Sequence, residues 1–245
     1  MFELTLCLDF RRQKYIRDFY CLIRDEIKKD GGIIIKHNSG GKSYLSLAVE
    51  DIKMEYIKSK VLDFVTQIIE DEFKYEFFKN NLVIPNQEML TEAFLRAISG
   101  FDEDIDKEII SHSIDFIGEV VVESLFYFKL QGLVLKWQKT ADIINQNLIM
   151  YSDNSMSEVL RYLCAVSDNK SVTVELILTD NKLELRNCLC NKQFGKSIEG
   201  ISRLFSEIIK LNPLKINIKE CEYQPGFDKL KDALLKVFDD KIYFV

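Results

Sequence analysis

The residue types best suited to chemistry fall in a few short clusters, and each can be weighed against what its chemistry requires. Gly40-Gly41-Lys42-Ser43 has the ending of a phosphate-binding loop, in which glycine amides at a helix N-terminus cradle phosphates. The first glycine of such a loop would fall at Lys36, and the residues after Ser43 alternate like a strand instead of opening a helix. The cluster reads as a hairpin turn. Cys188 and Cys190 form a C-x-C pair whose thiolates would suit zinc, but only Cys221 lies near enough in sequence to join them. Ordinary reduced cysteines are the simpler reading, because strong zinc signals are paired C-x-x-C or histidine clusters. His112 is flanked by Ser111 and Ser113, yet neighbours on a helix point about 100° apart, which is not the geometry of a nucleophile and its base. His37 falls in the hairpin loop and reads as a surface residue. Asp102, Glu103, Asp104 and Asp106 lack the glycine and distal glutamate of a calcium loop, so helix-dipole complementarity and solvation account for them.

The remaining cluster is cationic. Arg11, Arg12, Lys14 and Arg17, with Tyr15 among them, open the first helix and form a candidate interaction patch, to which Lys129 is added below. Exposed cations of this kind bind phosphate backbones by releasing counterions. Asp18, Asp25 and Glu26 dilute the patch along the same helix. A solvated helix face is the default, with nucleic acid or an acidic partner as the alternative. No catalytic residue, metal ligand or cofactor is assigned.

These clusters need a scaffold, and the composition supplies one. The chain has 245 residues, of which 47% are hydrophobic, enough for a sizeable core. Only 10 glycines and 3 prolines argue against a linker-rich or many-turned all-β protein. The net charge of −6 is uneven: the first fifty residues are net basic and residues 51–110 net acidic. No segment has the basic excess that nucleic-acid binding favours. Glu3 and Asp9 interrupt the opening apolar run, so no signal peptide is expected, and six scattered cysteines suit a reducing cytoplasm. The apolar stretch Ser124 to Trp137 contains Lys129, Gln131 and Lys136, and reads as buried helix with no membrane span.

Phe2, Leu4, Leu6 and Leu8 alternate with Glu3, Thr5, Cys7 and Asp9, which predicts a half-buried strand. Ile16, Phe19, Ile23 and Ile27 predict a helix from about Arg11 to Lys29, stopped by Gly31-Gly32. Ile33 to Lys36 and Tyr44 to Val49 are strands joined by the loop 37–42. A long helix from Asp51, its N-cap, to about Phe78 follows, then helices over about 87–99 and 102–118. Val120-Val121-Val122 and Phe126-Tyr127-Phe128 suit a strand by residue type, but length favours helix from about Glu123. Ser155-Met156-Ser157-Glu158 is a capping box opening a further helix.

The last segment is the most regular. Val172, Val174, Leu176 and Leu178 alternate, turn at Asp180-Asn181 and return through Leu183 and Leu185, which is a hairpin. A helical stripe from Ile198 to Ile208, a strand at Leu214, Ile216 and Ile218, a helix through Leu230, Leu234 and Val237, and a closing strand at 242–245 complete it. The chain is therefore predicted to be α+β. A β-α-β-β unit spans residues 1–50, a helical block 51–167 and a ββαβαβ unit 168–245.

From Phe128-Lys129-Leu130, through MSEVLRYLCAV and the hairpin VTVELILTDNKLEL, to SRLFSEIIKLNPLKINIKE and LKDALLKVFDDKIYFV, the chain resembles the YtxC-like family of sporulation proteins. The resemblance covers roughly residues 115–245 and rests on apolar patterns, not on a chemical signature. Where the family has an aromatic followed by arginine this chain has Phe128-Lys129, and lysine lacks the planar bidentate contact of a guanidinium. What the resemblance implies is a cytoplasmic protein associated with endospore formation. The expectation is a sporulation-associated, non-enzymatic protein acting through a protein partner, with nucleic-acid or nucleotide binding through the first helix as the alternative.

Overall fold

The computed structural model describes residues 1–84, 88–150, 155–166, 172–179, 182–187, 205, 208–209, 211–220 and 227–245. The fold is α+β, with two separate four-stranded sheets. Two compact units are present: residues 1–77 with 102–139, and residues 78–101 with 140–245.

The first unit is built on β1 (Phe2–Asp9), α1 (Gln13–Lys29), β2 (Ile33–Ser39), β3 (Lys42–Val49) and β4 (Gly118–Val121), with strand order β2-β3-β1-β4. β1 pairs antiparallel to β3 and parallel to β4, while β2 and β3 form an antiparallel hairpin. Alternation in β1 and β3 sends Leu4, Leu6, Leu8, Leu45 and Leu47 to one face, where they are buried together with Ile34. The apolar stripe of α1, Ile16, Phe19, Ile23 and Ile27, is buried against that face. Phe19 stacks at 4.3 Å on Phe64 of α2 (Met54–Ile68), so a second helix backs the first. Gly31 has φ +76° and ends α1 as the Gly-Gly signal predicts. Gly32 is needed for a different reason. A Cβ there would meet Ile27 Cγ2 at 2.8 Å and the Ala48 carbonyl at 2.9 Å.

Four boundaries differ from the sequence reading. The 37–42 loop is mostly strand: β2 runs to Ser39, β3 starts at Lys42, and Gly40 and Gly41, with φ +57° and +75°, make a two-residue turn. Positive φ at both central positions matches the right-handed twist of a hairpin, which lets the strands extend further than apolar alternation alone suggests. Asp51 is not a helix cap; its carboxylate takes the Met1 amine at 3.0 Å while a 3₁₀ turn, Asp51–Lys53, precedes α2. The long helix is interrupted by a π turn at Ile69–Lys74 before α3 (Tyr75–Asn81). The helix expected over 102–118 is α5 (Glu103–Ser113), which stops short so that Gly118–Val121 can pair with β1. Val120 and Val121 of the ambiguous valine run are thus in β4, and helix resumes at α6 (Val122–Ser124), a second π turn (Leu125–Lys129) and α7 (Gln131–Met150).

The second unit contains α4 (Glu88–Ser99), α8 (Ser155–Val166), β5 (Thr173–Thr179), β6 (Lys182–Asn187), β7 (Lys215–Glu220), α9 (Phe227–Phe238) and β8 (Ile242–Phe244). Its strand order is β6-β5-β7-β8, antiparallel for β5–β6 and parallel for β5–β7 and β7–β8. Val174, Leu176, Ile216 and Ile218 are fully buried, as are Leu160, Phe205, Ile208 and Leu234 from helical segments. The hairpin register, Leu178 opposite Leu183, is the one the alternation predicts. Its turn at Asp180-Asn181, most of the helical stripe from Ile198, and Cys188, Cys190 and Cys221 lie outside the described residues.

Candidate interaction site

The predicted cationic patch is distributed by its local backbone. Asp9 ends β1 and caps a 3₁₀ turn, Phe10–Arg12, by accepting from the Arg11 amide at 2.9 Å. The Asp9 carboxylate also binds Arg11 Nε at 3.0 Å, and the two bonds from Arg11 hold its carboxyl below the usual carboxylate range. Arg12 is largely buried. Its guanidinium lies 4.4 Å above the Phe73 ring and 3.4 Å from Glu123, and reaches Glu72 at 3.9 Å. Lys14 pairs with Glu72 at 3.3 Å, and Arg17 with Asp18 at 3.2 Å. Tyr15 donates to Glu72 at 2.8 Å, and burial together with that carboxylate raises its phenol pKa. Lys129 ends the second π turn and is exposed, next to Phe128, which is also exposed. Each of the four cations near the start of α1 therefore faces a carboxylate of the same unit, and Arg12 works as a tie between α1, the first π turn and α6. Sequence spacing brought the cations into view; Arg11 and Arg17 take carboxylates beside them in sequence, while the partners of Arg12 and Lys14 come from residues 72 and 123, which no local pattern connects to them.

The other chemical clusters have ordinary roles. Ser111 and Ser113 hydroxyls donate back to the carbonyls of Glu108 and Ile109, and His112 Nδ1 lies 2.8 Å from the Glu108 carbonyl and 3.5 Å from Ser111 Oγ, so the Ser111 proton is given to the backbone and not to the histidine. Asp106 departs from the solvated role expected of it. It is fully buried, accepts from Lys74 at 2.6 Å, Lys136 at 2.9 Å and the Trp137 indole at 3.3 Å, and ties α5 to the first π turn and α7. The available signal was its spacing, four residues before Ile110 on the buried face of α5. Asp102 and Glu103 remain at the helix start, Asp102 with φ +61° and paired to Lys136 at 3.3 Å.

A surface that sequence reasoning missed is the second face of the first sheet. One face carries α1, while the other presents three cross-strand rows: Ile33, Ala48 and Glu3; Ile35, Ser46, Thr5 and Glu119; His37, Tyr44, Cys7 and Val121. Ile33 and Ile35 are 58% and 56% exposed, unusual for isoleucines on a strand. Tyr44 stacks on His37 at 4.8 Å, and the Thr5 and Ser46 hydroxyls are 2.9 Å apart. These residues, Cys7 and Val121 excepted, line a shallow groove of about 710 Å³. Cys7, within the third row, is fully buried, and burial is the main cause of its raised thiol pKa. The signal for this face was present in Ile33-Ile34-Ile35, where three consecutive isoleucines guarantee that the two facing away from the core emerge on the other side.

Burial also separates the described cysteines by reactivity. In the second unit it pushes the Cys164 thiol up to about 11, whereas Cys21 is exposed on α1. Iodoacetamide at pH 8 is expected to alkylate Cys21 in the folded protein while Cys7 and Cys164 react only after unfolding, as read by peptide mapping. Because Cys164 holds its proton more tightly in the folded state, its contribution to stability is complete below its ordinary value of 9.0 and falls as the pH rises toward 11.

Among the described residues no helix is long and apolar enough to cross a membrane. Comparison of the chain with protein-family models, curated proteins and solved structures gives no match.

Proposed function

We propose that this chain is a sporulation-associated cytoplasmic protein that acts through protein–protein contacts, with the uncovered face of the first sheet as its contact surface. The observation that carries the reading is the pair Ile33 and Ile35, exposed side by side on a face that also offers an aromatic stack and a groove. An apolar patch rimmed by polar residues is what protein contacts use. Glu3 and Glu119 border the same groove and oppose a phosphate backbone there. The sporulation context rests on the resemblance over residues 115–245 to the YtxC-like family.

Nucleic-acid binding through the first helix is the second reading, favoured by Arg11, Lys14 and Arg17, whose side chains remain well exposed. It is the weaker one, because their intramolecular carboxylates must be displaced before phosphate can be bound. Affinity capture of the tagged protein from cells entering sporulation separates the two. Protein that co-purifies with wild type and is lost with Ile35→Lys supports the first reading. Nucleic acid retained at low salt, released steeply by added salt and lost on neutralising Arg11, Arg12 and Arg17 supports the second. Deletion of the gene with no sporulation defect would overturn the physiological assignment.

A further inference from the structure

We infer that the second face of the first sheet takes a basic amphipathic helix of a partner protein. This rests on the contact-surface reading above and deepens it by naming the occupant. Across the strands the face has three zones. Ile33, Ile35 and His37 on the edge strand β2 form a bulky, largely apolar wall. Ala48 and Ser46 of β3 with Thr5 of β1, all half-buried, form a low floor. The two floor hydroxyls bond to each other at 2.9 Å, which lowers the cost of covering them with an apolar side chain. Glu3 of β1 and Glu119 of β4, both exposed, form the opposite wall.

Charge decides what can lie in this groove. Neither glutamate is in an ion pair among the described residues. The one lysine that register places on this face, Lys42, falls beyond the third row, opposite Ser39 and Asp9. An occupant that covers the acidic wall must therefore bring its own cations, since a carboxylate taken from water without a counter-charge is costly. A phosphate backbone or an anionic lipid surface is repelled. A second copy of the same face would bring further carboxylates and isoleucines to the groove, and no cation to answer Glu3 and Glu119.

Shape decides the backbone of the occupant. Neighbouring strands lie about 4.8 Å apart, so the span from β2 across β3 to β1 is about 10 Å, the width of one helix with its side chains. The three rows run about 13 Å along β2, which is about two to three helical turns. Glu119 faces Thr5, two residues on from Glu3, so the two glutamates are diagonal neighbours about 7–8 Å apart. Lysines or arginines at i and i+4 of a helix are about 6 Å apart and reach both, while the apolar stripe beside them lies over Ile33 and Ile35. The sheet is then layered between α1 and the partner's helix, an arrangement that buries both of its faces.

A peptide selection tests this. Random peptides of about 16 residues, displayed on phage, are selected on the folded full chain with excess Ile35→Lys protein in solution, which removes binders that ignore this face. The enriched peptides are expected to carry apolar residues at i, i+3, i+4 and i+7, with lysine or arginine along one flank. A synthetic peptide of the enriched sequence should gain helix on binding, as read by circular dichroism. Fluorescence anisotropy should show its affinity falling as salt rises, and falling about tenfold or more with Glu3→Lys and Glu119→Lys combined. Replacing the peptide's cations by glutamate should restore binding to that double variant, and Leu22→Lys on the exposed side of α1 should change nothing. Circular dichroism of each variant checks that it folds. Ile35-dependent peptides that are acidic, uncharged or non-helical, or an affinity that the double variant leaves unchanged, would overturn the basic helix while the contact surface stands. If no peptide binds in an Ile35-dependent way, both fall.

Discussion

Asp106→Ala is expected to be among the most damaging single changes in the first unit, costing about 3–5 kcal/mol. The carboxylate is fully buried and is bound by Lys74, itself only 3% exposed, at 2.6 Å. Removing it withdraws the counter-charge from an ammonium held in the core, and it takes away the acceptor of the Trp137 indole. Lys136 loses less, since it is nearer solvent and also reaches Asp102 at 3.3 Å. Urea titration should show a lower midpoint at an unchanged slope. Asp106→Asn keeps an acceptor but not the charge, and should fall between alanine and wild type. The double variant Lys74→Met with Asp106→Leu should recover most of the loss, because replacing both members of a buried pair by apolar groups is often neutral. A loss below about 1 kcal/mol for Asp106→Ala would show that the pair is solvated in solution.

Trp137→Ala is the second large effect, again about 3–5 kcal/mol. The side chain is 1% exposed, lies 5.9 Å from Phe126 and 5.8 Å from Phe77, and donates to Asp106. Phe126 in turn packs at 4.4 Å on Phe73, whose ring carries Arg12. The two π turns therefore deliver the aromatic residues that separate the buried ion pair from the Arg12 tie. Because Trp137 and Asp106 touch, the double alanine variant should cost clearly less than the two single losses added together. Additivity within about 0.5 kcal/mol would mean that they act as independent core residues.

Strands and helices with one clean period were legible in the sequence. β1, the stripe of α1 and the β5–β6 hairpin follow from alternation or helical spacing, because each buries a single face and the pattern records which. Residues whose neighbours come from far along the chain were not. Val120 and Val121 become strand only because β1 offers a free edge, and Asp106 becomes a core residue only because Lys74 and Lys136 are brought to it. The π turns were hidden for a related reason: one extra residue per turn shifts the apolar stripe slightly, and the shift is absorbed by aromatic side chains from both segments. The cations at the start of α1 were visible as a cluster, and Asp9 and Asp18 lie beside Arg11 and Arg17 in sequence, but the hold on Arg12 and Lys14 depends on Glu72 and Glu123, which the fold supplies. The second sheet face was half legible, in that Ile33-Ile34-Ile35 announces apolar residues on both faces, while the lack of a covering helix among the described residues is a property of the assembled unit.

Protein contact through the exposed face of the first sheet can be read directly. A photoreactive amino acid placed at residue 35, with residue 22 on the exposed side of α1 as control, tests it in intact cells that make the protein. A discrete cross-linked protein species is expected from position 35 and none from position 22. No product at position 35, or the same products from both positions, would contradict it.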